Sequence, residues 1–324
     1  MTLAIRIHEH GGPEKFRVDE VQVPAPKPGE VLIHQTAIGL NYIDTYHRSG
    51  LYPMTLPGIV GMEAAGVVEA VGEGVTNIVA GDKVAYASGP VGAYAARRVM
   101  PAGRVIKIPD TLDMNTAAGL MVKGMTAEYL IRRTFPVKAG QIILVHAAAG
   151  GVGQILCQWG RDLGATVIAT AGSDEKCDLV RTLGAHHAIN YRRDSFKDRV
   201  KELTDGKGVH VVYDGVGADT FLDSLDCLRP LGYMVSFGNA SGPVPAFEPK
   251  ILSSKGSLFL TRPSLWHYTM TDSDYQQSAQ DLFDVVTRDA VKVSISKTYP
   301  LTEAAQAHID LESRATTGSV ILVP

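Results

Sequence analysis

Hydrophobic and polar positions follow two different rhythms along the chain. As far as about residue 110, short apolar runs are divided by Gly and Pro, in VPAPKPGEVLIHQTAIG, AAGVVEAVGEGV and AGDKVAYA. That spacing predicts a compact, mostly β, barrel-like domain. The rhythm changes after Thr111. Helical periodicity begins near Ala117, and from Gln141 strand-like and helix-like segments alternate: IILVHA, VGQILCQWGRDL, ATVIAT, DEKCDLVRTL, AIN, FKDRVKELT, VHVVYD. In the first of these helices Val152, Ile155, Leu156, Trp159 and Leu163 share one apolar face. Nearly all-apolar strands alternating with amphipathic helices predict a doubly wound parallel sheet covered on both faces, and YMVSFG and SLFLT extend it to roughly six strands.

The alternation stops after Ser264. The remainder offers one good helix, Gln276 to Thr287, then the short strands VSISKTYP and SVILVP, read as returning to the first domain. The expected organisation is therefore an α/β chain in which residues 116–264 form the parallel-sheet domain, and residues 1–115 and 265–324 together form the other.

Composition narrows the function classes. Hydrophobic residues make up 45%, charged residues 20%, and the formal net charge is -3, which makes nucleic acid and acidic membrane surfaces poor default partners. MTLAIRIHEHGG has the character of neither a signal nor a transit peptide, so a cytoplasmic protein is expected. The most membrane-like window, Ile142 to Gly160, is broken by His146, Gln154, Gln158 and four glycines, which favours a strand followed by a helix. Cys157, Cys177 and Cys227 form no C-x-x-C pair and suggest neither a disulfide framework nor a zinc site. The close histidine pairs, His8 with His10 and His186 with His187, have no cysteine nearby and read as surface.

The stretch LVHAAAGGVGQ, Leu144 to Gln154, sits between the first strand and first helix of the alternation. A glycine-rich turn there lets the backbone approach a pyrophosphate, whose charge rests on free helix N-terminal amides. The turn reads Ala148-x-Gly150-x-x-Gly153, with Ala where the dinucleotide fingerprint has its first Gly, so the backbone of Ala149, Gly150, Gly151, Val152 and Gly153 is the candidate phosphate cradle. An NAD site places an acid at the tip of the second strand. Here that strand ends in Thr170-Ala171-Gly172-Ser173, and Asp174 and Glu175 fall where a helix begins. Ser173, Lys176 just beyond it and Tyr191 after the next strand suit a ribose 2'-phosphate, and so NADPH; the alternative is that Lys176 is a solvated helix charge.

These residues carry a family resemblance. AIGLNYIDTYHRSGLYP (37–53), GMEAAGVVEAVGEGV (61–75), GDKVAY (81–86), LMVKGMTAEYLI (120–131), HAAAGGVGQ (146–154), VVYDGVG (211–217), VSFGNASG (235–242), TRPSL (261–265) and ESRATTGSVIL (312–322) occur in order along the whole chain. Together they resemble the zinc-free medium-chain dehydrogenase/reductase superfamily, and within it the NADPH:quinone oxidoreductases related to zeta-crystallin. The resemblance implies a GroES-like substrate domain, a Rossmann domain, NADPH as cofactor and a homodimer. The zinc alcohol dehydrogenases of the same superfamily carry a catalytic Cys where this chain has Asn41, and a His where it has Met62; their structural-zinc loop is missing too. Amide and thioether are poor zinc ligands beside thiolate and imidazole, so no metal is expected.

The chemistry then rests on hydride from NADPH and on position and polarity from the protein. A quinone held against the nicotinamide between the two domains suits this. Segment 41 to 52, loop-like in pattern, offers Asn41, Asp44, Tyr46, His47 and Tyr52. By resemblance Asn41 and Tyr46 lie near nicotinamide and substrate, with Tyr52 close by. Either an amide or phenol hydrogen-bonds the developing oxyanion, or the tyrosines only wall an apolar slot. Asp44 is read as orienting the loop and Glu63 as structural. Lys123 and Thr126 open the helix leading into the nucleotide domain and resemble nicotinamide-ribose and amide contacts. Gly215, Phe237, Gly238, Asn239 and Ser241 match stretches lining the cofactor cleft, and Arg314 resembles a phosphate contact.

Two alternatives stand beside quinone reduction. One is NADPH-dependent reduction of an enone or alkenal double bond. The other is NADPH binding without catalysis, in an RNA-binding or structural role, which the net charge of -3 and the lack of a long Lys/Arg run support little.

Overall fold

The computed structural model describes residues 1–324. The chain divides into two compact units: Met1–Met125, Thr269–Thr287 and Val293–Pro324 form one, Thr126–Tyr268 and Arg288–Lys292 the other.

The second unit is built on a six-stranded, all-parallel sheet. Its spatial order is His187–Asn190, Thr166–Ala171, Ile142–Val145, Val209–Asp214, Leu228–Ser236, Phe259–Thr261. The order reverses beside the central strand Ile142–Val145, the position at which open α/β sheets bind ligands beyond the carboxyl ends of their strands. Leu144, Ile168, Val212 and Met234 are fully buried, as strands covered on both faces require. The helix Gly151–Asp162 lays Ile155, Leu156 and Trp159 onto the sheet. Its Gly160 lets the backbone come close, since a Cβ there would meet Ile143 at 2.8 Å and Val167 at 3.2 Å.

The first unit holds a three-stranded sheet (Phe16–Val21, Thr2–Ile7, Gly58–Ile59) and a larger one in the order Ile295–Pro300, Ser319–Val323, Glu30–Leu40, Glu63–Val71, Lys83–Ala87, Ile106–Lys107, with Arg97–Pro101 also pairing Glu30–Leu40. Ser319–Val323 thus inserts beside Glu30–Leu40, almost the whole chain length earlier. Ile33, Ile38, Val68, Val84 and Tyr86 form part of the core.

Three elements depart from the sequence reading. Segment 41 to 52 is not a loop: Tyr42–Ser49 is an α-helix, begun by Asn41 in extended backbone and ended by Gly50 at φ 84°. Asp44 three residues after Asn41 completes a capping box, a signal present in the sequence and outweighed by the segment's polarity. The helix expected from Gln276 begins at Asp272, where Thr271 Oγ1 accepts from Asp274 N at 3.0 Å. A further helix, Ala304–Glu312, buries Ala304, Ala307 and His308. Small residues and a histidine make no apolar stripe, which hid it.

Candidate active site

In the second unit, Ile142–Val145 runs into a turn where Ala147 adopts φ 48° and Gly150 N bonds Ala147 O at 2.9 Å. Gly150 then caps Gly151–Asp162 without a side chain, and the first helical bond is Gln154 N to Gly150 O, 2.9 Å. The amides of Gly151, Val152 and Gly153 therefore lie in the first turn, where no intrahelical acceptor exists. A Cβ on Gly153 would lie 2.6 Å from both Ala147 O and Ala148 Cα, so only glycine permits this tight packing. A free-amide terminus with a glycine cap and no side chain in front of it fits a pyrophosphate.

The tip of Thr166–Ala171 gathers the next set. Ser173 caps the helix Asp174–Thr182, accepting from Lys176 N at 3.3 Å. The Asp174 carboxylate is turned to Asn190 Nδ2 (3.0 Å) and Arg193 Nη1 (3.2 Å). Tyr191 folds back over the strand tip, where its hydroxyl would lie 2.6 Å from a Cβ on Gly172. Gly172, Ser173 and Tyr191 thus share one corner, with Lys176 one turn into the helix.

Two further turns interlock beside them. Asp214, fully buried, accepts from Val216 N at 2.7 Å, Gly217 N at 3.2 Å and Thr220 Oγ1 at 2.8 Å, which fixes the turn at Gly215. Phe237 N bonds Asp214 O at 2.8 Å, and a Cβ on Gly238 would lie 2.4 Å from Gly215 O. Ser241 Oγ donates to Val216 O (2.9 Å) and accepts from Asp219 N (3.0 Å), and Arg262 holds Ser236 O at 2.9 Å beside Asn239.

By sequence His146 stands only as a break in an apolar window; the structure gives it partners. It lies 2.9 Å from both Thr170 Oγ1 and Ser224 Oγ. The Ser224 hydroxyl donates to Thr220 O at 2.7 Å, so it accepts Nε2–H, and His146 Nδ1 accepts from Thr170. Burial holds this imidazole below its ordinary pKa and so neutral. It ties the glycine turn to the second strand tip and to the helix after Gly215. Both residues lie inside segments that carry the family resemblance, HAAAGGVGQ and VVYDGVG, but neither segment marks His146 or Asp214 as the partner that joins the turns.

In the first unit the candidate residues converge on a carboxylate. Glu63, fully buried at the start of Glu63–Val71, accepts from Asn41 Nδ2 at 2.8 Å, Lys123 Nζ at 2.6 Å and Val122 N at 2.5 Å. Lys123 and Thr126 do not open the helix, as the sequence reading had them; they lie in the second half of Met114–Glu128. The periodicity that begins near Ala117 belongs to this same helix, which is apolar around most of its circumference and starts three residues earlier, at Met114. Asp44 Oδ2 accepts from Asn41 N at 2.9 Å and from Tyr94 Oη at 3.1 Å, and burial pushes its carboxyl up to about 7. Tyr94 Oη also lies 2.9 Å from His308 Nε2, and His308 Nδ1 accepts from Arg48 Nη1 at 2.9 Å. Arg48 in turn pairs with Glu312 at 2.8 Å. Tyr46 and Tyr52, both half-buried, meet edge to face at 5.3 Å and 64°, and Tyr52 N bonds Tyr46 O at 3.1 Å. His47 is buried, which lowers its pKa, and its Nδ1 has no hydrogen-bond partner.

Arg314 takes φ 60° just after Ala304–Glu312. His8, His10, His186 and His187 are exposed, and no three His, Cys, Asp or Glu side chains are grouped as a metal would need. At positions 41 and 62 stand an amide and a thioether.

Comparison with known proteins matches residues 27–110 to the alcohol dehydrogenase GroES-like domain family and residues 151–284 to the zinc-binding dehydrogenase family. A quinone oxidoreductase of Pseudomonas aeruginosa is 48% identical over 325 residues, covering 100% of both chains. A 2-haloacrylate reductase of a Burkholderia species is 48% identical over 333 residues, covering 100% of this chain and 99% of that protein. The crystal structure of Escherichia coli quinone oxidoreductase complexed with NADPH is similar at a TM-score of 0.97 and 45% identity, covering 99% of this chain and 100% of that one. Because the likeness runs from end to end in both sequence and fold, the chain belongs to the quinone oxidoreductase family of the medium-chain dehydrogenase/reductase superfamily.

Proposed function

We propose that this chain is an NADPH-dependent quinone reductase that works without a metal. When bound, NADPH supplies the hydride; the residues of the chain hold, orient and polarise. The observation that carries the reading is the buried Glu63 carboxylate holding both Asn41 Nδ2 and Lys123 Nζ. Hydrogen-bond donors stand there, where a charge that develops on a quinone oxygen needs them.

In this reading the amides from Ala149 to Gly153 take the pyrophosphate, and Ser173, Lys176 and Tyr191 take the 2'-phosphate. Lys123 and Thr126 hold the nicotinamide ribose and amide, the turns at Gly215 and from Phe237 through Gly238 and Asn239 to Ser241 line the cofactor, and Arg314 contacts a phosphate. Asn41 faces the nicotinamide and substrate, and Tyr46 and Tyr52 wall the quinone, with one phenol donating to it. The edge-to-face contact of the two rings supports a single aromatic wall against which a flat substrate ring can pack.

The test is the initial rate of NADPH oxidation with a quinone and a medium-chain enone in parallel, repeated with NADH and after chelator treatment. The expected result is fastest turnover of quinone with NADPH and no effect of chelator. Loss of activity on chelation, or reduction of the enone alone, overturns it. Double-bond reduction is the second reading, favoured by the 48% identity to a 2-haloacrylate reductase, whose named substrate is an unsaturated acid.

We further propose a cytoplasmic homodimer with no membrane or nucleic-acid partner. Support for the dimer comes from the outer strand Phe259–Thr261, bonded on one side only, with Phe259 and Leu231 exposed nearby. No helix is long and apolar enough to cross a membrane.

A further inference from the structure

We infer that Glu63 is the positioning residue of this site: its buried carboxylate dictates which edge of the Asn41 amide, and which hydrogens of Lys123, are left for the bound nicotinamide half and the substrate. The inference rests on the reading just given for Asn41 and Lys123.

An ionised carboxylate has lone pairs only, so each of its neighbours must present hydrogen. Asn41 Nδ2 at 2.8 Å, Lys123 Nζ at 2.6 Å and Val122 N at 2.5 Å do so, and they use both oxygens of Glu63. The two ends of an amide have nearly the same shape, and without such a partner either fits the same space. Facing Glu63, the amide must turn its NH2 inward. One of its two hydrogens is then used, and the other projects from a nitrogen whose orientation is set. The ammonium likewise spends one of its three hydrogens on Glu63 and is fixed in direction by it.

The seat of this carboxylate is shaped for it. Gly39 pairs with Glu63 across the strands, and a Cβ on Gly39 would lie 2.1 Å from Glu63 Oε1 and 2.3 Å from Ala118 O. Glycine at 39 admits the carboxylate, the backbone of the helix closes its other side, and three directional bonds leave it a single pose. Lys123 also balances its charge. A developing negative charge on the substrate therefore meets a neutral pair with outward N–H groups rather than a bare carboxylate. Without Glu63 only the capping bond from Asp44 N still orients the Asn41 amide, and its carbonyl oxygen can turn toward that charge and repel it.

The experiment compares wild type with Glu63→Gln, Asn41→Ala and the double variant in two ways. The first is binding: the dissociation constants of NADPH, by nicotinamide fluorescence, and of 2',5'-ADP, which lacks the nicotinamide half, by calorimetry. Glu63→Gln is expected to weaken NADPH by about tenfold, the worth of one charge-assisted hydrogen bond, and to leave 2',5'-ADP within about twofold. The second is turnover: kcat is expected to fall about tenfold in either single variant and, in the double variant, by clearly less than the product of the two, because part of the effect of Glu63 runs through Asn41 and the rest through Lys123.

Parallel weakening of NADPH and 2',5'-ADP, costs that multiply in the double variant, or no effect of Glu63→Gln would each overturn the inference. Should Glu63→Gln fail to fold, Asn41→Asp decides. It sets carboxylate against carboxylate and is expected to lower both melting temperature and NADPH affinity, and adding Glu63→Gln is expected to restore the melting temperature but not the affinity, since an amide then faces the new carboxylate while position 41 has no outward N–H left to offer. Absence of that rescue overturns the inference too. If wild type reduces no quinone, the functional reading above fails, while the two dissociation constants still decide the role of Glu63.

Discussion

Gly39 and Glu63 face each other across two antiparallel strands, and a methyl group on Gly39 would lie 2.1 Å from the Glu63 carboxylate. Gly39→Ala must displace either that carboxylate or the Ala118 carbonyl, and displacing the carboxylate leaves Lys123 buried beside a broken partner. We expect a loss of about 3 kcal/mol in unfolding free energy, the range of an overpacked core combined with a disrupted buried ion pair, measured by urea denaturation. A loss below about 0.5 kcal/mol, the scale of an ordinary surface substitution, contradicts this account of the slot.

His308 and Asp44 bond the same phenol, Tyr94, and should make the pH dependence of stability cancel between them. Burial, with the Arg48 charge adding, holds His308 down at about 3 against an ordinary 6.5. Burial, with the Glu63 charge adding and opposed by the Asn41 and Tyr94 hydrogen bonds and by Lys123, pushes Asp44 up to about 7 against 3.8. Between about pH 4 and 6.5 the folded chain then keeps a proton on Asp44 and none on His308, while the unfolded chain does the reverse, so the pair binds equal numbers of protons in both states. Taken alone, the lowered histidine loses stability as pH falls through this window, and the raised carboxyl loses it as pH rises.

Asp44→Asn is therefore expected to tilt the stability profile upward with pH, by up to about 1.4 kcal/mol per unit relative to wild type, and His308→Gln to tilt it downward. Denaturation midpoints at pH 4.5, 5.5 and 6.5 check this. Parallel profiles for all three proteins would refute it.

Lys176→Ala should reduce the preference for NADPH over NADH by about tenfold or more, the value of one charge-assisted hydrogen bond to the 2'-phosphate. The readout is the ratio of kcat/KM for the two cofactors. An unchanged ratio would make Lys176 a solvated helix charge.

His146→Leu leaves the Thr170 hydroxyl without its acceptor and removes the donor to Ser224. We expect a loss of about 2 kcal/mol in stability and weaker NADPH binding, because the three turns joined by His146 loosen together. His146→Gln, able to accept and donate, should recover part of both. Stability lost with NADPH affinity intact would confine His146 to the core.

Tyr52→Phe preserves the ring that meets Tyr46 and deletes only the hydroxyl. A donor to the oxyanion predicts a fall in kcat of about a hundredfold with the melting temperature unchanged. Unchanged kcat assigns Tyr52 to the wall of the slot.

Much of the fold was legible because burial leaves a periodic trace. The apolar strands from Ile142 onward, the amphipathic helix from Gly151 and the glycines at 150 and 153 report faces and close approaches that depend on local spacing alone. The capped helix Tyr42–Ser49 and the helix Ala304–Glu312 escaped for the complementary reason: the first is mostly polar, and the second buries alanines and a histidine.

Local spacing and residue identity account for the alternation that makes a parallel sheet, the turn before Gly151, and the amide and thioether at positions 41 and 62. What those groups do depends on packing between distant segments. Glu63 lies 22 residues from Asn41 and 60 from Lys123, and His308 lies 214 from Tyr94, yet each pair is joined by a hydrogen bond. Periodicity records which side of an element faces the core; it carries no information on which distant donor meets a given buried acceptor. That pairing is fixed only when strands and helices pack, because a buried polar group must find a partner among whatever the fold brings within about 3 Å.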